Sequence, residues 1–578
     1  MNEYVKAIEA RLDSDQADML KSIYEPKVVE VPLADARRDI CILKDGEIRS
    51  YGECDGGQWR DESKPYAYLS SVDGGISWTK HYAKGKMHSC TYIPEWDKYI
   101  RFIGRNDGFY CMISDIGPDD PSPKEVRVAE SGFFDEFLPV KSRFTDRIWC
   151  TAQKNNGEGL NEPYYFYSDD RGESWKAVKV KHPEPCPIVY PHKGPRWRIS
   201  CGTEPYAIEL NDGRMVMILR NSNDFFYQAF SDDGGESWSD PEPSIFHGTT
   251  TTAFMLNLSD GRIVTFWNNT QPLPDINHEV LQPYLDKDSQ KGVWEDVFTN
   301  RDAAHAAVGD GNWENFKGFR EIHLNQVRNN TDFRYAGDFV PCSDKSVHQF
   351  QAYELPFNKV LVCFGQSTAS RKLVIFDVDW LCEKQRSENF LGGLKNVSTH
   401  VYLKGIAGSQ VHTLGNGHCA LNRVSGAVMM PDPEGILLDR PYIRKHHDDR
   451  RISDIDGIVW NFPASKKGKV QVEIKIVEKQ IQFTLSDRWF NACDAFAGSL
   501  SAFTFDLDNA DIGNGFATVT VEFDVDKGFA RVSDENRVIF DVKMKNPAPC
   551  GISYLIIQCM PDGESNGAYI RKLEMKAE

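Results

Sequence analysis

The sequence has no stretch of about 18 consecutive apolar residues, the length that a membrane-spanning helix needs. Its first residues, MNEYVKAIEARLDSDQADMLKSIY, form a charged amphipathic helical pattern that lacks the apolar core of a secretory signal peptide. These two absences predict a cytoplasmic protein that does not use a membrane as partner.

Positive charge is also scarce, with 67 basic residues against 85 acidic ones and a net charge of −18. A nucleic-acid backbone or an anionic membrane would be repelled by such a chain, so neither is expected as a partner. An acidic ligand would need a local basic pocket. The sequence leaves open whether copies of the chain assemble into a homo-oligomer.

The 14 cysteines are scattered singly and include no C-x-x-C pair. This spacing argues against a zinc site and against a dense disulfide framework. We therefore expect reduced, mostly buried thiols, no metal and no cofactor.

Helical periodicity is nearly absent between about residues 32 and 390. Short apolar or alternating runs are instead separated by Asp-Gly turns, as in AIELNDGRMVMILR and FMLNLSDGRIVTFW. Glycine supplies the positive φ that a tight hairpin turn requires, so these segments are predicted to be β-hairpins. The chain is too long for one hydrophobic core, which predicts two or three domains.

An octapeptide of the form Ser-x-Asp-x-Gly-x-Ser-Trp occurs three times among these hairpins: SVDGGISW from Ser71, SDDRGESW from Ser168 and SDDGGESW from Ser231. Degenerate copies are found in SDIG from Ser114 and in VGDGNW, which ends at Trp313. The spacing predicts about six units of four short strands each, an arrangement typical of a six-bladed β-propeller.

After Trp380 the pattern changes, and strict alternation returns from about Ile458, as in VQVEIKI and ATVTVEFDVDKGFARVS. The whole chain is therefore predicted to be all-β. The predicted domains are a short N-terminal helical segment (1–29), a six-bladed β-propeller (30–395) and a linker followed by a β-sandwich (396–578).

The octapeptide has the composition of a turn. Asp73 can accept hydrogen bonds from backbone N–H groups of the loop, Gly75 permits a left-handed dihedral angle, and Trp78 provides an apolar anchor for the next strand. Three copies in successive units cannot all line one pocket. We therefore expect the octapeptides to stabilise the fold rather than to perform chemistry.

These octapeptides resemble the Asp-box repeats of the sialidase (neuraminidase) superfamily, and the resemblance covers roughly residues 30–395. It implies six-bladed propellers whose boxes lie on the outer rim, away from the catalytic face. The C-terminal stretch TVTVEFDVDKGFARV is similar to the concanavalin/laminin-G-like jelly rolls that often accompany glycosidases, and we expect it to pack against the propeller.

The resemblance also implies a site in which arginines bind a carboxylate while acidic residues serve the reaction. The opening segment ARRDICILKDG offers Arg37 or Arg38 for the first arginine. The loop GQWRDESKPYAYLSS offers Asp61 as the acid/base, with Arg60 beside it as a substrate contact. Glu204, in TEPYAIELNDG, matches the glutamate that partners the family's tyrosine nucleophile.

The remaining family positions differ in how well they match. Arg220 is the nearest substitute for the second arginine, and Arg301, in NRDAAHAAVGDGNW, matches the third. His305 would lie on the same side of a strand as Arg301, because an even offset preserves the face. Val347 and His348 occupy the position of the nucleophilic tyrosine, so His348 is predicted to act as a general base or acid.

The resemblance, together with these residues, predicts an exo-acting glycoside hydrolase of the sialidase superfamily that acts on small glycans or glycoconjugates with an acidic terminal sugar. Two alternatives remain open at this point. One is a propeller lyase that eliminates across a uronate, and the other is a glycan-binding propeller without activity.

Overall fold

The computed structural model describes most of the chain, and all statements below concern these residues. They are 2–32, 39–51, 66–83, 87–157, 160–184, 202–221, 223–249, 251–271, 300–325, 347–365, 371–402, 423–431, 433–438, 453–477, 480–535, 537–559 and 567–578.

The N-terminal segment contains two short helices, α1 (Glu3–Arg11) and α2 (Ser14–Ser22), followed by strand β1 (Lys27–Val28). The sequence predicted one amphipathic helix here. The helix is interrupted because Asp13 caps α2: its side chain accepts a hydrogen bond from the backbone N–H of Gln16, whose side chain accepts one from the Asp13 N–H.

Six antiparallel sheets of four or five strands follow, and all but the sixth are built from consecutive segments of the chain. Sheet one contains β2 (Asp39–Ile42), β3 (Ile48–Tyr51), β4 (Tyr66–Ser71) and β5 (Thr79–Ala83), and sheet two contains β6 (Thr91–Ile93), β7 (Lys98–Arg105), β8 (Gly108–Ser114) and β9 (Lys124–Ala129). Sheet three contains β10 (Phe133–Phe134), β11 (Val140–Lys141), β12 (Ile148–Asn155), β13 (Asn161–Ser168) and β14 (Lys176–Lys179).

Sheets four to six repeat this pattern. Sheet four contains β15 (Thr203–Glu209), β16 (Met215–Arg220), β17 (Phe225–Ser231) and β18 (Glu242–His247), and sheet five contains β19 (Phe254–Asn257), β20 (Ile263–Trp267), β21 (Ala303–Gly309) and β22 (Lys317–Leu324). Sheet six contains β23 (Gln351–Leu355), β24 (Lys359–Phe364), β25 (Lys372–Asp377) and the N-terminal strand β1, which pairs with β25.

Neighbouring sheets contact each other mainly through their first strands. Strand β2 contacts β6 and β23, β15 contacts β12 and β19, and β19 contacts β23, while sheets two and three meet through β7 and β10. Consecutive sheets therefore contact each other, and sheet one also contacts sheet six.

Each octapeptide forms the turn between the last two strands of its sheet, in sheets one, three and four. In the first copy, Asp73 accepts hydrogen bonds from the backbone N–H groups of Ile76 (3.1 Å) and Ser77 (3.0 Å). Gly75 has φ +88°, and the Trp78 indole N–H donates to its carbonyl oxygen at 2.8 Å. The prediction that the octapeptide is a turn is confirmed.

The C-terminal region begins with helix α3 (Val378–Leu381) and contains sheets of eight, five and two strands and two further short helices, α4 (Ala497–Leu500) and α5 (Asn509–Ile512). The strands are β26 (Gln385–Glu388), β27 (Val397–Ser398), β28 (His400–Tyr402), β29 (Arg423–Ser425), β30 (Ala427–Met429), β31 (Ile436–Leu438), β32 (Asp456–Ser465), β33 (Lys467–Ile476), β34 (Ile481–Ser486), β35 (Phe503–Leu507), β36 (Ala517–Asp524), β37 (Phe529–Asp534), β38 (Arg537–Lys543), β39 (Ile552–Cys559) and β40 (Ala568–Ala577).

Of the two larger C-terminal sheets, one has the strand order β30-β31-β40-β33-β36-β37-β38, with β26 paired to β40, and the other has the order β27-β32-β39-β34-β35. Their facing side chains form one apolar core, in which Val472 and Leu573 from the first sheet join Phe483 and Leu555 from the second. The alternation predicted for this region follows from burial of one face of each sheet.

The C-terminal region also packs against sheets four and five. Trp489 is fully buried, its backbone N–H donates to the carbonyl of Asn269 at 2.9 Å, and its carbonyl accepts from the N–H of Gln271 at 2.8 Å. Within the described part of the chain, no helix is long and apolar enough to cross a membrane.

Candidate active site

A cavity of about 310 Å³ opens where the six sheets meet. Every one of the six sheets contributes at least one lining side chain. The described residues that line it are Asp39, Ser89, Arg101, Phe102, Asp135, Glu136, Phe137, Leu138, Glu204, Phe254, Gln349, Phe350 and Gln351. None of these described lining residues belongs to an octapeptide, so the turns and the cavity are separate features.

Glu204 lies near the start of β15, where the pairing with β16 is irregular. Its φ of +49° is unusual for a residue other than glycine, asparagine or aspartate. The carboxylate forms an ion pair with Arg220 of β16 and accepts a 3.1 Å hydrogen bond from the side-chain amide of Gln349. Because Glu204 is only 7% exposed, these partners offset the cost of burying its charge.

Asp135 and Glu136 lie between β10 and β11 of sheet three, side by side in the cavity wall. Gln153 of β12 connects this segment to Glu204: its amide donates to Asp135 at 2.5 Å, and its oxygen accepts from the Glu204 backbone N–H at 3.0 Å. One buried glutamine therefore fixes two of the acidic residues relative to each other.

The surroundings of Glu136 alter the acidity of its carboxyl group. Burial raises the pKa of Glu136 to about 7, and the negative charge of Asp135 adds to the rise, although backbone hydrogen bonds and the positive charge of Arg101 oppose it. A carboxylic acid with a pKa near neutrality can hold a proton and release it under ordinary conditions, which is what a general acid requires.

The opposite wall is formed by sheets one, two and six. Asp39 accepts a 3.2 Å hydrogen bond from the hydroxyl of Ser89, and Arg101 donates to the carbonyl of Met87 at 3.0 Å. Gln351 is held by Ile40, which donates its N–H to the glutamine oxygen (2.6 Å) and accepts from the glutamine amide (3.0 Å). The polar groups of this wall are thus oriented before any ligand binds.

Of the site residues predicted from sequence, the structure brings together Glu204 and Arg220 at the cavity. Arg37, Arg38, Arg60 and Asp61 lie outside the described residues, and their roles stay predictions.

Arg301 and His348 form a second pair, with the Arg301 guanidinium 3.4 Å from Nε2 of His348. Both side chains are almost completely buried, and neither is among the described residues that line the cavity. His348 directly precedes Gln349, which lines the cavity.

His305 is placed elsewhere. Its Nδ1 accepts a hydrogen bond from the Asn269 N–H at 3.0 Å, and its Nε2 lies 2.5 Å from the hydroxyl of Tyr554 in the C-terminal region. Tyr554 in turn donates to Glu321 at 2.8 Å. Burial lowers the pKa of His305 to about 3, so this imidazole stays neutral in a buried junction away from the cavity.

Sequence reasoning missed five residues that shape the site: Arg101, Asp135, Glu136, Gln153 and Gln349. The sequence carried a signal for Asp135 and Glu136, which are adjacent carboxylates in the aromatic segment SGFFDEFLPV. Burying two such charges costs free energy, so their presence in an apolar segment indicates a function. The two glutamines carried no such signal, since uncharged amides are common in strands and loops.

The fold and the cavity define a predominantly β protein with repeated Asp-containing turns and an acidic central site. Residues 124–336 match the BNR repeat-like domain family, and this stretch includes the second and third octapeptides. The chain therefore contains a BNR repeat-like domain. No match was found among curated protein sequences.

Several solved structures are similar to the chain at low identity. A protein of unknown function from Dyadobacter fermentans is 15% identical, with a TM-score of 0.37, over 61% of this chain and 97% of its own. A Trypanosoma rangeli sialidase in complex with sialic acid is 11% identical, with a TM-score of 0.37, over 96% and 94% of the two chains. The NanB sialidase of Streptococcus pneumoniae is 12% identical, with a TM-score of 0.36, over 64% and 73%.

Proposed function

We propose that the protein is a glycoside hydrolase and that the cavity between the six sheets is its active site. The observation that carries this proposal is the contrast between two carboxyl groups of one cavity. Glu136 has a pKa raised to about 7, whereas Glu204 forms an ion pair with Arg220. Glycosidic bond cleavage uses such a pair, one group as acid and the other as carboxylate.

In this proposal, protonated Glu136 gives its proton to the glycosidic oxygen while the bond between that oxygen and the anomeric carbon breaks. A water molecule then bonds to the anomeric carbon, and Glu204 accepts the proton that the water loses. The ion pair with Arg220 keeps the Glu204 carboxylate oriented, and Gln349 holds it through a 3.1 Å hydrogen bond.

Three finer statements belong to the same proposal. The six sheets are the blades of a six-bladed β-propeller, an assignment supported by their sheet-to-sheet contacts and by the pairing of β1 with β25. The two larger C-terminal sheets form a β-sandwich of the jelly-roll type. Cleavage is exo-acting, because a cavity of about 310 Å³ accommodates a terminal sugar better than an extended chain.

The test is a panel of aryl glycosides of neutral, amino and acidic sugars, assayed with the wild-type protein and with Glu136→Gln and Glu204→Gln. We expect each variant to lose at least about a hundredfold in kcat on the best substrate. The matched control is Glu522→Gln, which makes the same change on the exposed face of β36 and should leave kcat unchanged.

Three results would contradict the assignment. Full activity in both cavity variants would exclude Glu136 and Glu204 as the acid and the base. A product that absorbs in the near ultraviolet would indicate elimination from a uronate, and binding without turnover would indicate a glycan-binding protein.

Proton NMR of the first product anomer gives the stereochemistry of the reaction. Inversion supports Glu204 as base, and retention supports Glu204 as the partner of a nucleophile. Asp61→Ala, made in parallel, tests the acid predicted from sequence.

A further inference from the structure

The charges on the described cavity wall are predominantly negative. Four carboxyl groups face the cavity, and they belong to Asp39, Asp135, Glu136 and Glu204. Arg101 is the one guanidinium among the described lining residues. An anionic sugar would enter this space against a net negative potential, whereas a neutral or cationic sugar would not.

Among the described residues, the two arginines at the cavity, Arg101 and Arg220, already have partners. Arg220 forms an ion pair with Glu204, and Arg101 donates to the carbonyl of Met87 while its positive charge acts on Glu136. A carboxylate on the ligand would have to compete with these internal partners for each guanidinium. Bidentate recognition of a carboxylate needs an arginine whose fork of N–H groups points into the cavity.

The remaining wall has the composition that binds hydroxyl-rich, uncharged rings. Phe102, Phe254 and Phe350 are more than 90% buried and line the cavity with apolar ring surface. The side chains of Gln349 and Gln351 add amide groups that are held in place by other protein atoms. Aromatic surface suits the C–H groups of a sugar ring, while carboxylates and amides accept and donate hydrogen bonds to its hydroxyl or amino groups.

We propose that the terminal sugar bound in this cavity carries no anionic group, so that the ligand class is neutral or amino sugars rather than sialic or uronic acids. This inference rests on the proposed function for the location of the site and replaces the acidic sugar expected from the sequence. Asp39 and Asp135, which have no part in the proposed reaction, supply carboxylates that would repel an acidic sugar.

The experiment measures binding separately from turnover. Methyl glycosides of a neutral hexose, an amino sugar, a uronic acid and sialic acid are titrated into the full-length protein by calorimetry or ligand-observed NMR. We expect the acidic sugars to bind at least about tenfold more weakly than the better of the neutral and amino sugars. Raising the salt concentration should reduce this difference, because salt screens the repulsion and leaves neutral sugars unaffected.

A charge-removing variant provides the second arm. Asp39→Asn keeps the shape of the side chain and removes one negative charge from the wall, so the affinity for acidic sugars should rise several-fold while that for neutral sugars changes little. Glu522→Gln, on an exposed strand face, is the control and should change neither affinity.

The possible outcomes separate the two proposals. If acidic sugars bind as tightly as neutral ones or more tightly, or if none of the four sugars binds, the inference about the ligand is wrong. If acidic sugars are both bound and cleaved, the hydrolase proposal stands while this inference fails. If neutral or amino sugars bind selectively but no glycoside is cleaved, the inference stands while the hydrolase proposal fails.

Discussion

Gln153 accepts a 3.0 Å hydrogen bond from the backbone N–H of Glu204. The two residues belong to different sheets, since Gln153 lies on β12 and Glu204 on β15. The bond reaches Glu204 where its φ is +49°, a conformation that costs free energy in residues other than glycine. Gln153 is therefore a positioning residue: it holds a strained backbone and orients Asp135 with the other end of its amide.

Replacing Gln153 with leucine is expected to lower kcat by about tenfold to a hundredfold while KM changes less. The substitution keeps the volume but leaves the Glu204 N–H without its acceptor, at a cost of about 1–3 kcal/mol. Steady-state kinetics on the best aryl glycoside and thermal unfolding measure the two effects. Gln471→Leu, on β33 of the C-terminal region, is the control; equal kcat values in both variants would contradict a positioning role.

The pH profile tests Glu136 as the acid. Because its pKa is raised to about 7 and the acid must be protonated, kcat/KM should fall as the pH rises through about 7. Glutamine cannot ionise, so the residual activity of Glu136→Gln should lack this alkaline limb. If kcat/KM of Glu136→Gln still fell as the pH rises through about 7, the fall would belong to a group other than Glu136.

The turn aspartates are expected to affect stability and not catalysis. Asp233 accepts hydrogen bonds from the backbone N–H (2.9 Å) and the hydroxyl (2.6 Å) of Ser237, and Asp233→Ala should lower the free energy of unfolding by about 1 kcal/mol at pH 7. Asp232→Ala, one residue earlier and exposed, is the matched control and should be neutral. Urea unfolding measures the difference in the free energy of unfolding. If Asp233→Ala lost kcat while its free energy of unfolding stayed at the wild-type value, a purely structural role for Asp233 would be contradicted.

The same aspartate predicts a pH dependence. Burial alone would raise the pKa of Asp233, but hydrogen bonds from Ser237 and Ser231 lower it to about 2. A group with a lowered folded-state pKa stabilises the fold above its unfolded value near 4 and loses that contribution as the pH falls towards 2. The stability difference between wild type and Asp233→Asn should therefore shrink below about pH 4 in urea titrations.

Tyr554→Phe is expected to destabilise the junction between sheet five and the C-terminal region. Removing the hydroxyl leaves the buried groups of His305 and Glu321 without this partner, at a cost of about 1–3 kcal/mol. KM should stay unchanged, since these groups lie away from the cavity. Tyr569→Phe, on β40, is the control for loss of a tyrosine hydroxyl, and a raised KM in Tyr554→Phe alone would connect His305 to the ligand.

Much of the β architecture could be predicted from local patterns. Asp-Gly turns and alternating strands are short-range signals, and the octapeptide repeats its own hydrogen bonds wherever it occurs, so the hairpins and box turns follow from a few adjacent residues. The interruption between α1 and α2 was missed, although Asp13 and Gln16 carry the composition of a capping box.

The site was less accessible to such reasoning because its contacts join distant segments. Glu204 meets Gln153 from sheet three and Gln349 from sheet six, and no local pattern specifies those partners. The inferred common face of Arg301 and His305 rested on strand parity, but β21 begins only at Ala303, so the alternation rule does not extend to Arg301. Tyr554, the partner of His305, comes from the C-terminal region.

The pairing of β1 with β25 also affects how the protein is made. Lys27 is opposite Ile375, so a strand that leaves the ribosome early finds its neighbour only after the intervening five sheets have been synthesised. Until then the last sheet lacks its outer strand, and loop closure over such a distance is slow. Refolding of the full chain should therefore include a late step reported by the N-terminal helices, and a nascent chain that stalls before β25 would expose β1 to wrong partners.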